Sequence, residues 1–465
     1  MSELMSEPSA PQRQGSQASD EAESVDRPDS SPEAPARWNP LTRIAFRFCF
    51  AYFALFCLTF AQIIWVFVGV AAELLPDDAV AWQMLELRPL LRWVGRNVFG
   101  THADLVMNGS GDQTLIWVMV FLLLVAAAVI TVTWWVLDRR RAEYTRLWTW
   151  FVLVMRMCLG GQLLFYGFAK LFPLQMPYPS LLTQLTPYGQ QGMFTVLWNQ
   201  VGSSPVYQIL LGAAEVTAGL LVFIPRTATA GALLSLVSMS LVWIFNMTFD
   251  VPVKILSFHL LLLSLVVLVP QARRLANFLV LERPTEPATQ PSPFRARRAK
   301  RIAAAVQVAL AAWVLFGCLQ FSLDAWSKEG FDAPKPPLYG IWDVTEFVAD
   351  GHPVPPLITD EIRWRRLVFD QSQTTYQRMD DTFVPVAAQV DPEAHSVALS
   401  GLSPAGDAPP VQLAKFTYDR PDAERLSLRG ELGGRPVTIE LKRLDSDAFP
   451  LNRTKFHWVQ DAPHP

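Results

Sequence analysis

The sequence is poor in cysteine and in charge. It has 4 cysteines among 465 residues, and none of them forms a CxxC pair. They are Cys49, Cys57, Cys158 and Cys318, and all lie in apolar segments. This argues against a disulfide framework or a zinc site, and no metal centre is predicted. Charged residues make up only 17%, the net charge is -3, and no basic stripe is interleaved with aromatics, so nucleic acid is not an expected partner.

The first 36 residues contain almost no aromatic residues and are rich in Ser, Pro and Glu. Such a composition buries too little apolar surface to offset the entropy of ordering, which predicts a disordered tail. The tail also lacks a basic stretch followed by a short apolar run and a cleavage site, so no removable signal is expected. The first hydrophobic segment is therefore expected to target the protein itself.

Long apolar runs are what the sequence has in abundance. A helix needs roughly 20 predominantly apolar residues to cross a bilayer. Six runs meet this length: Phe48 to Ala72, Leu115 to Leu137, Leu147 to Phe172, Tyr207 to Ile224, Ala230 to Met247, and Ile302 to Leu323. A shorter run, Ile255 to Val269, ends before Pro270 and spans only if flanking polar residues such as Lys254 lie within the membrane boundary. The sequence thus predicts a polytopic α-helical bundle of about seven spans, with the lipid bilayer as its partner.

Arginine and lysine in the loops predict the orientation, because cytoplasmic loops carry an excess of them. With the tail inside, the inner loops collect Arg37, Arg43, Arg139 to Arg141, Arg226, Arg273, Arg274 and Arg295 to Arg301. Seven spans then leave the C-terminus outside, which in a bacterial inner membrane is the periplasm. An exception is Arg88, Arg92 and Arg96, whose spacing is typical of an external interfacial helix, although Pro89 argues against one.

Two ionisable residues are predicted near mid-membrane, Arg156 in the third span and Glu215 in the fourth. Charges there are costly to bury, so they are natural partners for an ion pair. Neighbouring glycines, Gly160, Gly161 and Gly212, allow the two helices to approach closely. The pair is either a structural lock between helices or part of a functional site, and both readings stay open.

A second polar group is predicted nearer the outer surface. It comprises Tyr166, Lys170, Asn246, Asp250, Lys254 and His259. Its cations, carboxylate and imidazole could bind an anionic or quinone-like head group, with His259 as a proton carrier. The alternative is an interfacial cap in which Asp250 neutralises lysines that reach towards the surface and His259 bonds a neighbouring helix. The long loop after the third span, rich in Pro and Tyr, is expected to cover this group.

Residues 145–282 resemble the DoxX-like family of membrane proteins. The resemblance rests on Tyr166-Gly-Phe-Ala-Lys170, Gly212-Ala-Ala-Glu215 with Gly219, Pro225-Arg226-Thr227, Gly231-Ala-Leu-Leu, and Asp250-Val-Pro-Val-Lys254 with His259. It implies a four-helix core and a role in membrane redox work, such as thiosulfate:quinone oxidoreduction or the response to oxidative stress. It marks Lys170, Glu215 and the segment from Asp250 to His259 as the positions that matter. The chain departs from the family in its three extra spans and β-rich end, and its sequence shows no cysteine pair placed for sulfur chemistry.

The last part of the chain alternates apolar and polar residues, as half-buried strands do. The predicted strands are Tyr339 to Val348, Arg363 to Asp370, Gln373 to Met379, Thr382 to Ala388, His395 to Ser400, Gln412 to Tyr418, Glu424 to Leu432, Arg435 to Arg443, and Phe456 to Val459. Gly433-Gly434 and Asp380-Asp381 are hairpin signals. Eight or nine antiparallel strands predict a closed barrel or a sandwich. Gly340 and Trp342 resemble the Gly-x-Trp signature of lipocalins, which implies a lipocalin-like barrel.

The predicted organisation follows from these segments. It comprises a cytoplasmic tail (1–40), two spans with an external interfacial segment (41–144), a DoxX-like core (145–282), a basic cytoplasmic loop (283–300), a seventh span (301–325) and a periplasmic β domain (338–465). One functional hypothesis is a quinone-associated redox or oxidative-stress component, with quinone as the only cofactor considered and no catalytic residue assigned. The other is a non-enzymatic carrier or scaffold whose β domain binds a lipophilic ligand or a periplasmic protein.

Overall fold

The computed structural model describes residues 38–285, 287, 292–331, 333–402, 411–453 and 456–461. The predicted disordered tail over residues 1–36 lies outside these ranges. Within them, seven helices are long and apolar enough to cross a membrane, so the chain is a multi-pass membrane protein. They are α1 (Pro40–Thr59), α2 (Thr114–Leu137), α3 (Thr145–Leu171), α4 (Pro205–Phe223), α5 (Ala228–Thr248), α6 (Lys254–Leu279) and α7 (Arg297–Glu329).

The first span was predicted as a single run from Phe48 to Ala72, and the structure differs from this. Helix α1 starts earlier, at Pro40, and stops at Thr59, because Phe60 adopts an extended conformation. A short helix, Ala61–Trp65, and a 3₁₀ turn, Gly69–Leu74, follow. Irregular backbone at membrane depth needs protein partners, and Trp313 of α7 supplies one by donating to the Phe67 carbonyl at 3.0 Å.

The sixth span is longer than predicted. The helix does not end before Pro270 but passes through a 3₁₀ turn, Val269–Gln271, into Ala272–Leu279. Pro270 lies in the first positions of that turn, where its missing N–H costs little. With 26 residues, α6 is long enough to cross the membrane, and this length includes Lys254 at its start and Arg273 and Arg274 near its end.

Helix α3 is the centre of the bundle. Its most apolar stretch is 78% buried, against 17% for α7 at the periphery. It packs along α4 at two glycine contacts, where Gly160 meets Phe223 and Gly167 lies against Gly212. Because glycine has no side chain, the backbones approach closely at Gly167 and Gly212, and polar groups near this contact can meet directly.

Several shorter helices connect the spans. The predicted interfacial segment is a helix, Trp82–Phe99, which accommodates Pro89 and presents Arg92 to Asp104. The remaining short elements are Asp77–Ala81, Leu181–Leu185, Tyr188–Gln190, Met193–Gly202, Ser446–Ala448 and Pro450–Arg453. The loop after α3 is therefore largely ordered rather than extended.

The C-terminal region is a closed antiparallel barrel of eight strands, as the alternating pattern predicted. The strands are β1 (Gly340–Ala349), β2 (His352–Pro353), β3 (Trp364–Phe369), β4 (Thr374–Arg378), β5 (Phe383–Asp391), β6 (Ser396–Gly401), β7 (Gln412–Asp419), β8 (Arg425–Leu432) and β9 (Arg435–Leu444). All but the two-residue β2 follow one another around the barrel, and β1 pairs with β9 to close it. The predicted strand Phe456 to Val459 was wrong, since these residues are irregular.

The two predicted hairpin turns are present. Gly433 and Gly434 both have positive φ, 57° and 79°, as a tight two-residue turn requires, and Asp381 has φ 69°. Inside the barrel, Trp342 is fully buried and donates from its indole nitrogen to the Leu338 carbonyl at 2.8 Å. It packs in a continuous apolar cluster with Phe347 and Phe416. The interior is thus filled by side chains.

Candidate functional site

A buried ion pair joins α3 to α4. Lys170 Nζ lies 2.7 Å from Glu215 Oε2, and the two side chains are only 6% and 4% exposed. The lysine also lies 3.5 Å from the Tyr166 carbonyl, so two acceptors, this carbonyl and the Glu215 carboxylate, lie close to its charge. Full desolvation makes this pair dependent on its geometry, because either charge alone would be costly there.

The predicted pairing of Arg156 with Glu215 is wrong. Arg156 is buried, but it donates to the Phe223 carbonyl at 3.3 Å and to the Gln307 side chain. Phe223 is the last residue of α4, so the guanidinium neutralises the negative end of that helix's dipole. Position along a helix had placed both charges near mid-membrane, but it fixes neither the offset of α3 and α4 nor their rotation.

Two glutamines complete the polar surroundings of the pair, and sequence reasoning missed both. Gln162, one turn before Tyr166 on α3, donates to the Gln62 carbonyl at 2.8 Å. The Tyr166 hydroxyl donates to Gln62 Oε1 at 3.0 Å. The signal for Gln62 was its polarity inside an apolar run, where the helix breaks. We define the Lys170–Glu215 site as Gln62, Gln162, Tyr166, Lys170 and Glu215.

The α3–α4 contact positions this site through glycine. A Cβ atom on Gly212 would overlap the backbone at Lys170 and Leu171, and one on Gly167 would overlap Val216. Gly212 lies three residues before Glu215 on α4, so the helices touch within one turn of the pair. Any larger residue there separates the charges.

An open cleft of about 230 Å³ adjoins the site between α3 and α7. Tyr166 belongs to both the site and the cleft wall. Gln175 adds a polar group, and its Oε1 is buried without a hydrogen-bond partner in the described structure. The other lining residues are Phe165, Ala169, Leu174, Cys318, Phe321, Ser322, Ala325 and Glu329. The cleft thus has mostly apolar walls with a few polar groups at one side.

The remaining members of the predicted outer group form a separate cluster at the start of α6. Lys254 Nζ lies 2.8 Å from Asp250 and 3.6 Å from Asp112. Asp112, which the sequence did not single out, also accepts from the backbone N–H groups of Lys254 and Ile255. Asn246 donates to Ser257 at 3.0 Å. These contacts fit the predicted cap better than an open ligand site.

His259 is bound on both ring nitrogens. Nδ1 is 2.6 Å from the Ile255 carbonyl, and Nε2 is 2.7 Å from the Tyr52 hydroxyl of α1. A carbonyl can only accept, so Nδ1 carries the proton and a neutral ring accepts from Tyr52 at Nε2. The ring also stacks on Phe56 at 3.8 Å. These contacts match the predicted structural alternative, in which the histidine bonds a neighbouring helix.

The structure brings together two cysteines that the sequence did not pair. Cys57 of α1 and Cys158 of α3 are free thiols, both buried and close to each other, and the Cys57 thiol donates to the Met155 sulfur at 3.9 Å. The prediction that no cysteine pair is placed for sulfur chemistry is not tested by this contact and stays a prediction. The two residues lie far apart in the sequence, so no local spacing could reveal their contact.

The loop after α3 binds the barrel. Tyr178 donates to Asn452 Oδ1 at 2.7 Å, and Asn452 donates to Gln184 Oε1 at 3.0 Å. Burial raises the pKa of the Tyr178 phenol, so it acts as a protonated donor at neutral pH. An apolar contact joins Leu181 to Ile341 and Val368 of the barrel. The loop thus links the barrel to Leu174 and Gln175, which line the cleft.

No cluster of three or more His, Cys, Asp or Glu side chains suited to a metal ion occurs in the described ranges. The site instead combines a fixed ion pair, a phenol and two amides beside an apolar cleft. Tyr166 is the member of the site that lines the cleft, so a polar head group in the cleft would contact this residue while its ring contacts the apolar walls.

Comparison with known proteins finds a relative of this chain. The protein named "Uncharacterized protein YwoB" of Bacillus subtilis (strain 168) is 31% identical over 113 residues, which cover 24% of this chain and 71% of that protein. No family model matches the chain. No solved structure matches it either.

Proposed function

This chain belongs to the same family as the protein named YwoB. From the sequence resemblance of residues 145–282 and the geometry of the Lys170–Glu215 site, we propose that it is a DoxX-like, quinone-associated membrane protein serving a redox or oxidative-stress system. The observation that carries the proposal is the buried Lys170–Glu215 pair beside the cleft between α3 and α7. A buried ion pair is expensive to keep, and residues of this kind inside a membrane commonly mark a functional site.

The cleft suits the head group of an isoprenoid quinone. Its volume of about 230 Å³ falls just below the range of about 300–1,000 Å³ usual for whole ligands, so it holds a ring and leaves the tail to the lipid. Phe165 and Phe321 offer ring faces, and Gln175 Oε1, unpartnered within the described part of the chain, offers an acceptor for a hydroxyl of the reduced quinol.

Lys170 and Glu215 would then serve as the proton reservoir next to the bound head group. Reduction of a quinone to a quinol takes two electrons and two protons, so a proton-bearing group within the membrane is required. Tyr166 connects the pair to the cleft, since its carbonyl meets Lys170 and its side chain lines the cleft wall. The two electrons would come from a separate reductant protein, and no residue of this chain is assigned to electron transfer.

The arginine distribution supports a bacterial inner-membrane location with the tail in the cytoplasm. Arg139, Arg140 and Arg141 follow α2 on the same side as the start of α1. Seven spans place the barrel on the opposite side, which is the periplasm in this orientation. The loop between α3 and α4, which binds the barrel, then also faces the periplasm.

The test is mass spectrometry of quinone that co-purifies with the full chain in lipid nanodiscs. Wild type is expected to retain quinone, and the double variant Lys170→Met/Glu215→Gln is expected to lose most of it while keeping both helices packed. The matched control is Lys254→Met, which removes a lysine from an ion pair outside the site. Quinone absent from wild type, or equal in all three proteins, would contradict the proposal.

A second candidate is a non-enzymatic scaffold in which the barrel binds a periplasmic protein. The interior of the described barrel is filled by side chains, so its lumen leaves no room for a lipophilic ligand. This favours a scaffold role over a carrier role. The exposed side chains of Phe456 and Trp458, 77% and 92% accessible, offer an apolar contact. Cross-linking at these positions in membranes, with Trp326 of α7 as the control position, would show a protein adduct if the scaffold role holds and lipid-only products if it does not.

A further inference from the structure

A second cleft, of about 460 Å³, lies between the loop after α3 and the C-terminal segment. We call it the loop–barrel cleft. It is lined by Pro179, Thr183, Gln184, Thr186, Tyr188, Gln191, Val196, Asn199, Gln200, Ser203 and Leu451. Neither the DoxX-like resemblance nor the quinone proposal makes use of it.

The lining has an unusual chemistry, because it consists mainly of amides and hydroxyls. Among these described lining residues, none is Asp, Glu, Lys, Arg or His. An anionic ligand would need a cationic partner, and a metal ion would need carboxylate, imidazole or thiolate groups. Amides and hydroxyls both donate and accept, so the ligand they fit is uncharged and carries both kinds of group.

These side chains are held in place by one another. Asn199 donates to Gln191 Oε1 at 3.0 Å, and Gln191 donates to the Thr186 carbonyl at 3.3 Å. Across the cleft, Gln184 donates to the Pro179 carbonyl at 2.8 Å and accepts from Asn452. Each such amide keeps a second hydrogen or lone pair for a ligand. Fixed polar groups bind with a smaller loss of side-chain entropy than mobile ones.

An aromatic ring and a free amide complete the cleft. Tyr188 is 74% exposed at the rim, although its ring is large and partly apolar. Gln200 is also exposed. A rim aromatic can cover the apolar C–H face of a sugar ring, while the amides bond its hydroxyls. Peptides are usually held by sheet edges, helix grooves, aromatic-lined grooves or charge clamps, whereas this cleft is built from short helices and turns without charged groups.

We propose that the loop–barrel cleft binds a neutral saccharide, with the amides of Gln191, Asn199 and Gln200 on its hydroxyls and Tyr188 against its ring. A ligand here contacts both the loop and Leu451 of the C-terminal segment. It therefore strengthens the attachment of the barrel to the loop. This inference is independent of the quinone proposal, and each can fail without the other.

The test is saturation-transfer difference NMR on the full chain in nanodiscs. The probes are a panel of uncharged trisaccharides of hexose and N-acetylhexosamine, and capped uncharged tripeptides. We expect at least one trisaccharide to bind and the tripeptides not to bind. Binding of tripeptides in place of saccharides, or of neither class, would overturn the proposal.

The variants Gln200→Leu and Tyr188→Ala are expected to raise the saccharide Kd by up to about tenfold each, the usual effect of removing one hydrogen bond or one ring contact. The matched control is Gln190→Leu, on the same 3₁₀ turn as Tyr188 but outside the cleft lining. All three positions are exposed, so the fold should be kept. Equal loss of binding in the control would place the saccharide elsewhere and overturn the assignment.

Discussion

Lys170 Nζ and Glu215 Oε2 are 2.7 Å apart between α3 and α4, and neither side chain has more than 6% of its surface exposed. A charge in this position stabilises the bundle only while its partner is present. The pair is linked to the cleft between α3 and α7 through Tyr166, which lines the cleft and whose carbonyl lies 3.5 Å from Lys170 Nζ. The same ion pair therefore links α3 to α4 and belongs to the proposed functional site.

The ion pair is expected to show strong energetic coupling. Lys170→Met or Glu215→Leu alone should destabilise the protein by about 3–5 kcal/mol, because each leaves an uncompensated buried charge. The double variant should be less destabilised than either single variant. Thermal unfolding of the four proteins in one detergent measures this cycle, and additive losses would contradict the pairing.

A double-mutant cycle of Arg156 with Glu215 is expected to show no energetic coupling, in contrast to the cycle of Lys170 with Glu215. Its contacts are to Phe223 and Gln307, so Arg156→Met should destabilise the protein independently of Glu215. Separate sites usually add within about 0.3–0.5 kcal/mol. A larger coupling between Arg156→Met and Glu215→Leu, measured by the same unfolding assay, would restore the pairing that the sequence suggested.

The close approach of α3 and α4 should depend on Gly212. Gly212→Val places side-chain atoms into the backbone of Lys170 and Leu171, so we expect a loss of about 1–3 kcal/mol from overpacking. Gly189→Ala is the control, since a Cβ there meets nothing within 4 Å. Unfolding temperatures of the two variants check this, and equal values would argue against the glycine contact.

Asp112 should act as the cap of α6. It accepts from the backbone N–H groups of Lys254 and Ile255 at 2.8 and 2.9 Å, so Asp112→Ala should cost about 0.5–2 kcal/mol. Asp250→Ala removes the other carboxylate near Lys254, but its side chain is 87% exposed and its ion pair should contribute at most about 1 kcal/mol. Thermal unfolding should therefore rank Asp112→Ala as the more destabilising change, and the opposite order would refute the cap.

Asn452 should control how firmly the barrel holds the loop after α3. Asn452→Ala removes its bonds to Tyr178 and Gln184, so the loop should open more often. Hydrogen–deuterium exchange of residues 177–190 should then rise by severalfold. Lys415→Ala, at an exposed position of β7, is the control and should leave that exchange unchanged.

Much of the fold could be predicted because it depends on short-range patterns. Apolar runs marked the seven spans, and two-residue alternation marked the barrel strands. The Gly433-Gly434 turn is coded by residues that tolerate positive φ. The helix break at Phe60 was not predicted, because a phenylalanine in an apolar run gives no local reason for the helix to end.

The site was predicted only in part, since depth in the membrane does not determine which side chains face each other. Lys170 and Glu215 were both identified, but Glu215 was assigned to Arg156. Residue spacing along each helix does not give the vertical offset of α3 and α4, which depends on contacts such as that of Gly167 with Gly212. Gln62 and Gln162 were missed because an uncharged amide in an apolar segment gives a weaker signal than a charge. Their role depends on a contact between distant segments.

The most direct test of the quinone proposal is photo-labelling with an azido-quinone in native-like lipid, followed by peptide mapping. The label is predicted on residues 165–175 of α3 and its following loop and on residues 318–329 of α7, which together line the cleft. Ala325→Phe should fill the cleft and abolish the label, whereas Ala312→Phe at an exposed position of the same helix should not. Labelling confined to other spans or to the barrel, or unchanged by Ala325→Phe, would contradict the account.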